Sequence, residues 1–140
     1  MRIKLFFTVV LVTALTTLNS FGLTPRFKIS LAEWSFHRAY EKKEWTNMDF
    51  PKTAKKYGLD AVEYVSTFFD GKGEDKDYLT KLKAECAKNA VKSLLIMVDD
   101  EGDLGDTSSV NLQKAVENHY KWVKAAKFLW MSFNQGKCTW

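Results

Sequence analysis

The chain has 140 residues, of which 21 are basic, 17 are acidic and 46% are hydrophobic. This composition is typical of one globular domain and excludes collagen-like, low-complexity and disulfide-rich proteins. Arg2 and Lys4 lie in a segment that we interpret below as a removable leader, and without them 19 basic residues stand against 17 acidic ones. Nucleic-acid binding is not expected, because it requires clustered positive charge and the sequence has no long run of like charges.

The N-terminus has the three parts of a secretory signal peptide. A basic start precedes an uncharged, largely apolar run over 5–18, and Ser20-x-Gly22 provides a small-residue cleavage site. We therefore predict a signal peptide over 1–22, export to the periplasm or the extracellular space, and no membrane attachment after cleavage. The run is short for a transmembrane helix, which needs about 20 apolar residues. Because uncharged residues continue to Pro25, an uncleaved anchor is the alternative.

Three strand-like segments begin near residues 27, 59 and 91, and helical patterns separate them. The first alternates apolar with small or polar residues, the second is rich in branched and aromatic residues, and the third (91–98) is largely apolar. Asp49 is a candidate N-cap of a helix that Gly58 ends, Asp75 or Asp77 caps a second helix, and a third spans about 110–129. The predicted inner faces carry Phe50, Ala54, Tyr57, Leu79, Leu82, Cys86, Ala90, Leu112, Val116, Val123 and Ala126. This alternation predicts an α/β fold with a parallel sheet and right-handed crossovers.

Ligands of such folds bind at the C-terminal ends of the strands, which here are the segments 33–38, 63–69 and 99–101. The first strand is not followed by the Gly-rich turn of a dinucleotide site, and the sequence has no Walker-type lysine loop. The acidic segment 99–103 only partly resembles a calcium loop, because Leu104 occupies a position where an EF-hand requires glycine. We expect the acidic loop 99–106 to be a solvated connection or a lip of the substrate site.

Three segments together resemble one family. KISLAEWSFHR on the first strand, YGLDAVEYV on the second and HYKWVKAAKFL on the third helix are similar to the xylose-isomerase-like TIM barrels. This superfamily comprises sugar phosphate isomerases/epimerases and endonuclease IV, and its exported isomerase/epimerase-like branch fits best. The resemblance covers roughly 27–129. It implies that 23–129 form the first three βα units of a (β/α)8 TIM barrel, which typically takes about 250 residues.

The chain departs from this family after Leu129. A fourth strand, commonly beginning with glycine, should follow, whereas the sequence over 130–140 is WMSFNQGKCTW. In another reading frame, codons for this tail can encode Gly-Cys-His-Ser-Ile-Arg-Val-Asn-Ala-Arg, which has the pattern of such a strand. We therefore interpret 130–140 as an out-of-frame tail that follows a one-nucleotide insertion. The alternative is a natural C-terminus with an aromatic strand.

The resemblance implies a parent protein that isomerises or epimerises a sugar or sugar phosphate with a divalent metal. The metal polarises the substrate oxygens while carboxylates move the proton. In the family the metal ligands come from later strands, so we predict no catalytic residue, no metal ligand and no cofactor in this chain. We expect an inactive N-terminal fragment. A non-catalytic, exported sugar-binding α/β module is the alternative.

Three residues are candidates for substrate binding. Glu63 has the opposite parity to its neighbours on the second strand, so we expect it to point into the barrel and accept hydrogen bonds from sugar hydroxyls, or else to form a strand-end ion pair. Trp34 is predicted either to stack on a sugar or to pack under a loop. His37 is predicted to meet a polar or phosphorylated substrate or to remain solvated.

The other histidine and the two cysteines are given structural roles. His119 lies on the inner stripe of the third helix and is expected to be a half-buried structural residue. Cys86 lies on an apolar helical stripe and should behave as a small hydrophobic residue. Cys138 falls in the tail, and neither cysteine has an activating base nearby in the sequence.

Overall fold

The computed structural model describes residues 27–131 and 135–136; the predicted signal peptide and most of the predicted out-of-frame tail lie outside them. Within these residues four strands and four α-helices follow one another, with two helices between the first two strands and one helix between each later pair. The strands are β1 (Leu31–Ala32), β2 (Ala61–Val65), β3 (Lys92–Val98) and β4 (Gln135–Gly136). The helices are α1 (His37–Glu41), α2 (Phe50–Lys56), α3 (Lys76–Lys88) and α4 (Ser109–Phe128). Short 3-10 turns over Glu33–Phe36, Ser66–Phe69 and Lys72–Glu74 follow the first two strands.

The strands form one open parallel sheet in the order β1-β2-β3-β4. Every neighbouring pair is parallel, and β4 contributes only two residues, which lie beside Met97 and Val98. The predicted fold class is therefore confirmed at the level of a small α/β fold with an open parallel sheet and alternating strands and helices.

One face of the sheet is covered by helices. Val62, Tyr64 and Ile96 are completely buried and belong to the apolar core that α2, α3 and α4 complete. Glu63 and its partner Leu95 lie on the opposite face, where they are half-buried. A register irregularity between Val62 and Glu63 still leaves Tyr64 paired with Ile96, so the core-facing pattern continues along both strands.

Aromatic rings in edge-to-face contact connect the helices across this core. The Phe50 ring at the start of α2 lies 5.9 Å from Tyr64, Tyr64 lies 5.8 Å from Phe69, and Phe69 lies 5.3 Å from Trp122 on α4. Such pairs add about 0.5–1.5 kcal/mol each beyond their area burial. The chain of rings fixes how α2 and α4 sit relative to β2.

The helices α2, α3 and α4 end with the same backbone motif. Gly58, Ala90 and Trp130 follow them in the left-handed region, with φ of 75°, 53° and 60°. The amide of each residue and that of the next one donate back to the last helical turn, the two bonds of a Schellman motif. The bonds run from Gly58 to Lys55, Leu59 to Ala54, Ala90 to Ala87, Val91 to Cys86, Trp130 to Lys127 and Met131 to Ala126. The motif turns the chain toward the sheet after each helix.

Replacing Ala90 with glycine is expected to raise the free energy of unfolding by about 0.5–1 kcal/mol. A left-handed L-residue costs roughly 1–2 kcal/mol, which glycine avoids at a smaller entropic cost. Urea denaturation measures the change. Ala84→Gly, at an exposed position inside α3, is the matched control and should instead destabilise the protein by up to about 1 kcal/mol. Equal destabilisation by both substitutions would contradict the prediction.

The structure differs from the sequence predictions at the first strand. The predicted strand over 27–33 is reduced to Leu31–Ala32, because Glu33 begins a 3-10 turn and its side chain enters the protein interior. The short helix α1 follows this turn and was not predicted. Asp49 precedes α2 as predicted, but its carboxylate accepts bonds from the amide and hydroxyl of Thr46 instead of capping the helix.

Three predicted inner-face residues lie elsewhere. Val123 is 52% exposed, because Trp122 and Ala125 occupy the inner face of α4. Tyr57 is 61% exposed, although its ring stacks 6.3 Å from Phe36. Ala90 is exposed because it lies in the turn beyond α3.

Among the described residues, no helix combines the length and the apolar character that crossing a bilayer requires.

Candidate functional site

A groove of about 900 Å³ lies at the C-terminal edge of the sheet. Residues that follow three successive strands line it: Trp34 after β1, the segment 67–70 after β2, and Asp99 with Asp100 after β3. The segment after α1 and the exposed side of α3, including Tyr78, complete the walls. The strand ends that the sequence marked as ligand-binding positions therefore contribute to one groove.

Stacked rings form one side of this groove. Tyr40 lies 4.5 Å from Phe68, Phe68 lies 5.9 Å from Trp34, and Trp34 lies 5.1 Å from His37, with interplanar angles of 12°, 14° and 16°. Trp34 remains 49% exposed. The neighbouring rings hold the indole in one orientation, and its exposed part presents an apolar surface to the groove.

His37 lies beside the groove and does not line it. Its ring stacks on Trp34, and its Nδ1 lies 3.0 Å from the carbonyl oxygen of Trp34, which it approaches as an N–H donor. The structure thus brings His37 together with Trp34, in a position to orient the indole.

Glu63 lies apart from the other two candidates. It is half-buried on the sheet face that the helices leave uncovered, beside Ala32 and Leu95, and its carboxylate accepts a hydrogen bond from the Ser30 hydroxyl. Its side chain does not line the groove. Of the three predicted residues, the structure therefore places only Trp34 at the groove.

A buried polar cluster that the sequence reasoning missed lies beneath the groove. Glu33 is completely buried and accepts a bond of 2.8 Å from the side-chain amide of Asn47 and another of 2.8 Å from the backbone N–H of Val65. The Tyr40 hydroxyl, which also lies 3.5 Å from the Thr46 carbonyl oxygen, is a further partner of the carboxylate. The Tyr78 hydroxyl donates to Asn47 Oδ1 over 2.5 Å. The cluster ties the ends of β1 and β2 to the segment after α1 and to α3.

The electrostatics of this cluster follow from its burial. Burial raises the pKa of Glu33 to about 7, against the opposing effect of the bonds from Val65, Tyr40 and Asn47. Burial also raises the pKa of Tyr78 to about 12 and that of Tyr40 further above its ordinary value. Both tyrosines are therefore neutral hydrogen-bond donors at physiological pH.

Charged groups of both signs surround the groove. Lys43 and Asp70 form an exposed ion pair of 2.6 Å at its mouth. The Lys72 ammonium lies 4.8 Å from the centre of the Tyr78 ring. The backbone of Asp99 is held by Ser66, whose hydroxyl accepts from the Asp99 amide over 2.8 Å. The groove therefore has carboxylate acceptors and ammonium donors side by side.

The acidic segment after β3 divides into two parts. Asp99 and Asp100 line the groove, whereas Glu101 is anchored on α4 by the Trp122 indole N–H at 2.8 Å and the Lys121 ammonium at 2.6 Å. Within the described residues, no three acidic, histidine or cysteine side chains are arranged to hold a metal ion. The metal ligands that the resemblance implies belong to later strands.

His119 and Cys86 have structural contacts. His119 is buried on α4, and its Nδ1 lies 2.7 Å from the Ala115 carbonyl oxygen. Cys86 is buried on α3, where its Sγ lies 3.2 Å from the Tyr64 hydroxyl and 3.4 Å from that of Ser93. Both residues belong to the helix-covered side of the sheet, away from the groove lining.

Comparison of the sequence with models of known protein families and with curated proteins finds no match.

Proposed function

We propose that the groove binds a sugar or sugar phosphate, and that this chain is the N-terminal, substrate-binding part of an exported barrel of the isomerase/epimerase kind. One observation carries the proposal: the residues after three successive parallel strands line a single groove of about 900 Å³. In α/β folds this edge of the sheet is where small molecules bind.

The strand order supports the barrel. In a doubly wound sheet the strand order reverses, so that helices cover both faces. Here the order β1-β2-β3-β4 has no reversal, and right-handed crossovers in that order place every helix on one face. The other face, with Glu63 and Leu95, then corresponds to the interior of a barrel. The (β/α)8 architecture is the extension of this pattern.

The lining of the groove supports a polyhydroxylated ligand. Asp99 and Thr67 offer oxygen acceptors for sugar hydroxyls, and the exposed part of Trp34 offers an apolar surface for the C–H face of a sugar ring. Because Lys43 is paired with Asp70, the ammonium groups of Lys72 and Lys81 are the donors left for a phosphate. Free and phosphorylated sugars are therefore both candidate ligands.

Each predicted site residue has a role in this proposal. Trp34 forms the apolar wall, and His37 orients Trp34. Glu63, on the inner face of a completed barrel, accepts hydrogen bonds from sugar hydroxyls, and this role stays a prediction. The metal and its ligands would belong to strands beyond the part of the chain described here, so residues 27–131 are proposed to bind without turnover.

The second candidate function is sugar binding alone, in which the full-length parent protein also binds a sugar but does not convert it. The burial of Glu33 favours this candidate. Among the carboxyl groups of the described residues, Glu33 has a pKa suited to proton transfer near neutrality, yet its side chain is completely enclosed and cannot touch a ligand.

The test is titration with D-glucose and with glucose 6-phosphate, followed by tryptophan fluorescence, because Trp34 and Trp45 line the groove. Saturable binding of at least one probe is expected. Asp99→Asn should weaken it about tenfold, since the substitution replaces a charged hydrogen-bond acceptor with a neutral one. Asp60→Asn, at the opposite edge of the sheet, is the control and should leave the affinity unchanged.

Two outcomes would count against this function: no binding of either probe, or equal weakening by Asp99→Asn and Asp60→Asn.

An NMR assay of isomer conversion, with added divalent metal and then with chelator, distinguishes the isomerase from the binding protein. A repaired full-length barrel that converts the sugar only with metal supports the isomerase, and binding with no conversion supports the binding protein.

A further inference from the structure

A continuous chain of hydrogen bonds leads from the buried carboxyl group to the groove. Glu33 is completely enclosed, Asn47 is completely enclosed beside it, and Tyr78 lines the groove. The two bonds that join them measure 2.8 Å and 2.5 Å. A change of proton occupancy at Glu33 therefore has a direct path to the ligand-facing surface.

In each of these hydrogen bonds, the donor and the acceptor are those expected when Glu33 is ionised. The carboxylate can only accept, so Asn47 turns its NH2 group toward Glu33 and its carbonyl oxygen toward Tyr78. The Tyr78 hydroxyl donates its hydrogen inward to that oxygen. Its oxygen lone pairs remain for the groove, so that Tyr78 offers a ligand an acceptor.

Protonation of Glu33 reverses this direction. When Glu33 takes one proton from solvent, the new O–H donates to the carbonyl oxygen of Asn47 once the amide group has turned over. The NH2 group of Asn47 then donates to the Tyr78 oxygen, and the hydroxyl hydrogen of Tyr78 becomes free for the groove. No other covalent bond forms or breaks. The Val65 amide keeps its bond to the second carboxyl oxygen of Glu33.

We propose that Glu33, Asn47 and Tyr78 form a relay that switches Tyr78 between hydrogen-bond acceptor and donor toward the groove, and so makes ligand binding depend on pH. This inference rests on the proposed function of the groove. Glu33 and Asn47 are positioning residues in this scheme, because only Tyr78 reaches the ligand.

The surroundings of Glu33 favour titration near neutral pH. Its partners are the neutral hydroxyl of Tyr40 on α1, the Asn47 amide and the Val65 N–H, while the Tyr64 hydroxyl is a further nearby group on β2. The charged groups that act on the tyrosines are the carboxylates of Asp49, Asp70 and Asp75, and the Lys72 ammonium faces the Tyr78 ring. Burial places the pKa of Glu33 at about 7.

The test follows the ¹³Cζ signal of Tyr78 in tyrosine-labelled protein without ligand, from about pH 5 to about pH 9, a range that brackets the Glu33 pKa. Tyr78→Phe assigns the signal, and Tyr120→Phe, at an exposed position on α4, is the control. A single step with a midpoint near that pKa is expected for Tyr78. Glu33→Gln should remove the step, and Tyr120→Phe should leave it unchanged.

A second measurement covers the case in which Glu33→Gln does not fold. In Tyr78→Phe, the Glu33 ¹³Cδ signal should still titrate, while the affinity for D-glucose, which has no ionisable group in this pH range, should lose the pH dependence of about threefold to tenfold expected of the wild type. A Tyr78 signal without a step, or an equal pH dependence in Tyr78→Phe and wild type, would overturn the relay.

The experiments can contradict the relay and the proposed function independently of each other. A Tyr78 step together with no binding of either sugar probe would support the relay and contradict the function. Sugar binding that is insensitive to pH, with no Tyr78 step, would support the function and contradict the relay.

Discussion

Replacing Trp122 with alanine is expected to lower the free energy of unfolding by about 3–5 kcal/mol. The indole is 4% exposed, meets the Phe69 ring edge-to-face at 5.3 Å, and donates to Glu101 over 2.8 Å. A Cβ on Gly73 would lie 2.8 Å from the indole, which shows how closely the backbone packs against it. Truncation therefore leaves a cavity between α4 and the turn after β2, and removes one of the two side chains that hold Glu101, the other being Lys121.

Urea denaturation at neutral pH measures this loss. Tyr120→Ala removes a large ring from the same helix at a position that is 54% exposed, and should change the stability by no more than about 0.5 kcal/mol. If the two substitutions had similar effects, the core would not depend on Trp122 as the contacts indicate. Equal loss of the near-ultraviolet circular dichroism signal in both variants would lead to the same conclusion.

The stability of the protein is expected to fall by roughly 3 kcal/mol as the pH rises from 4.5 to about 7, through the titration of Glu33. The raised pKa means that the folded state holds a proton that the unfolded state has already released. Stability from this group is therefore fully present below pH 4.5 and is lost as the pH approaches the folded-state value. One pKa unit corresponds to about 1.4 kcal/mol, which sets the size of the effect.

The difference between wild type and Glu33→Gln isolates this contribution, because other titrating groups affect both proteins alike. The side-chain amide of the variant carries no proton equilibrium, so the wild type should lose stability relative to the variant as the pH rises across this window. Thermal or urea denaturation at closely spaced pH values gives the two curves. Parallel curves would show that Glu33 has the same pKa in the folded and unfolded states. A wild type that gained stability relative to the variant as the pH rises would show that folding lowers the pKa of Glu33.

The regular features of the fold could be predicted from local sequence. The alternation of strands and helices follows from apolar periodicity, and α2 ends before Gly58 as expected. Ala90 was expected on the inner stripe of α3 but lies in the turn beyond it. The buried side of α4 was predicted incorrectly at Val123, which is exposed. The bulky Trp122 decides which side of the helix is buried, and the neighbouring Val123 then faces solvent.

The groove could be located from the sequence, but its buried cluster could not. Strand ends of a parallel sheet meet at one edge, which places Trp34 and Asp99 together by topology alone. Glu33 was predicted only as part of the strand-end segment 33–38. Its partners Asn47, Val65 and Tyr78 come from three other parts of the chain, and no local pattern indicates that a carboxyl group will be enclosed by them.

The shared ending of α2, α3 and α4 has a consequence for how such a chain can diverge. The positions that turn the chain toward the sheet hold glycine after α2, alanine after α3 and, in the segment that we interpret as out of frame, tryptophan after α4. The path of the backbone at these junctions is therefore maintained by main-chain hydrogen bonds and not by side-chain identity. Mutations can accumulate at the junctions while each successive unit keeps its alignment with the one before, so that architecture outlasts sequence similarity.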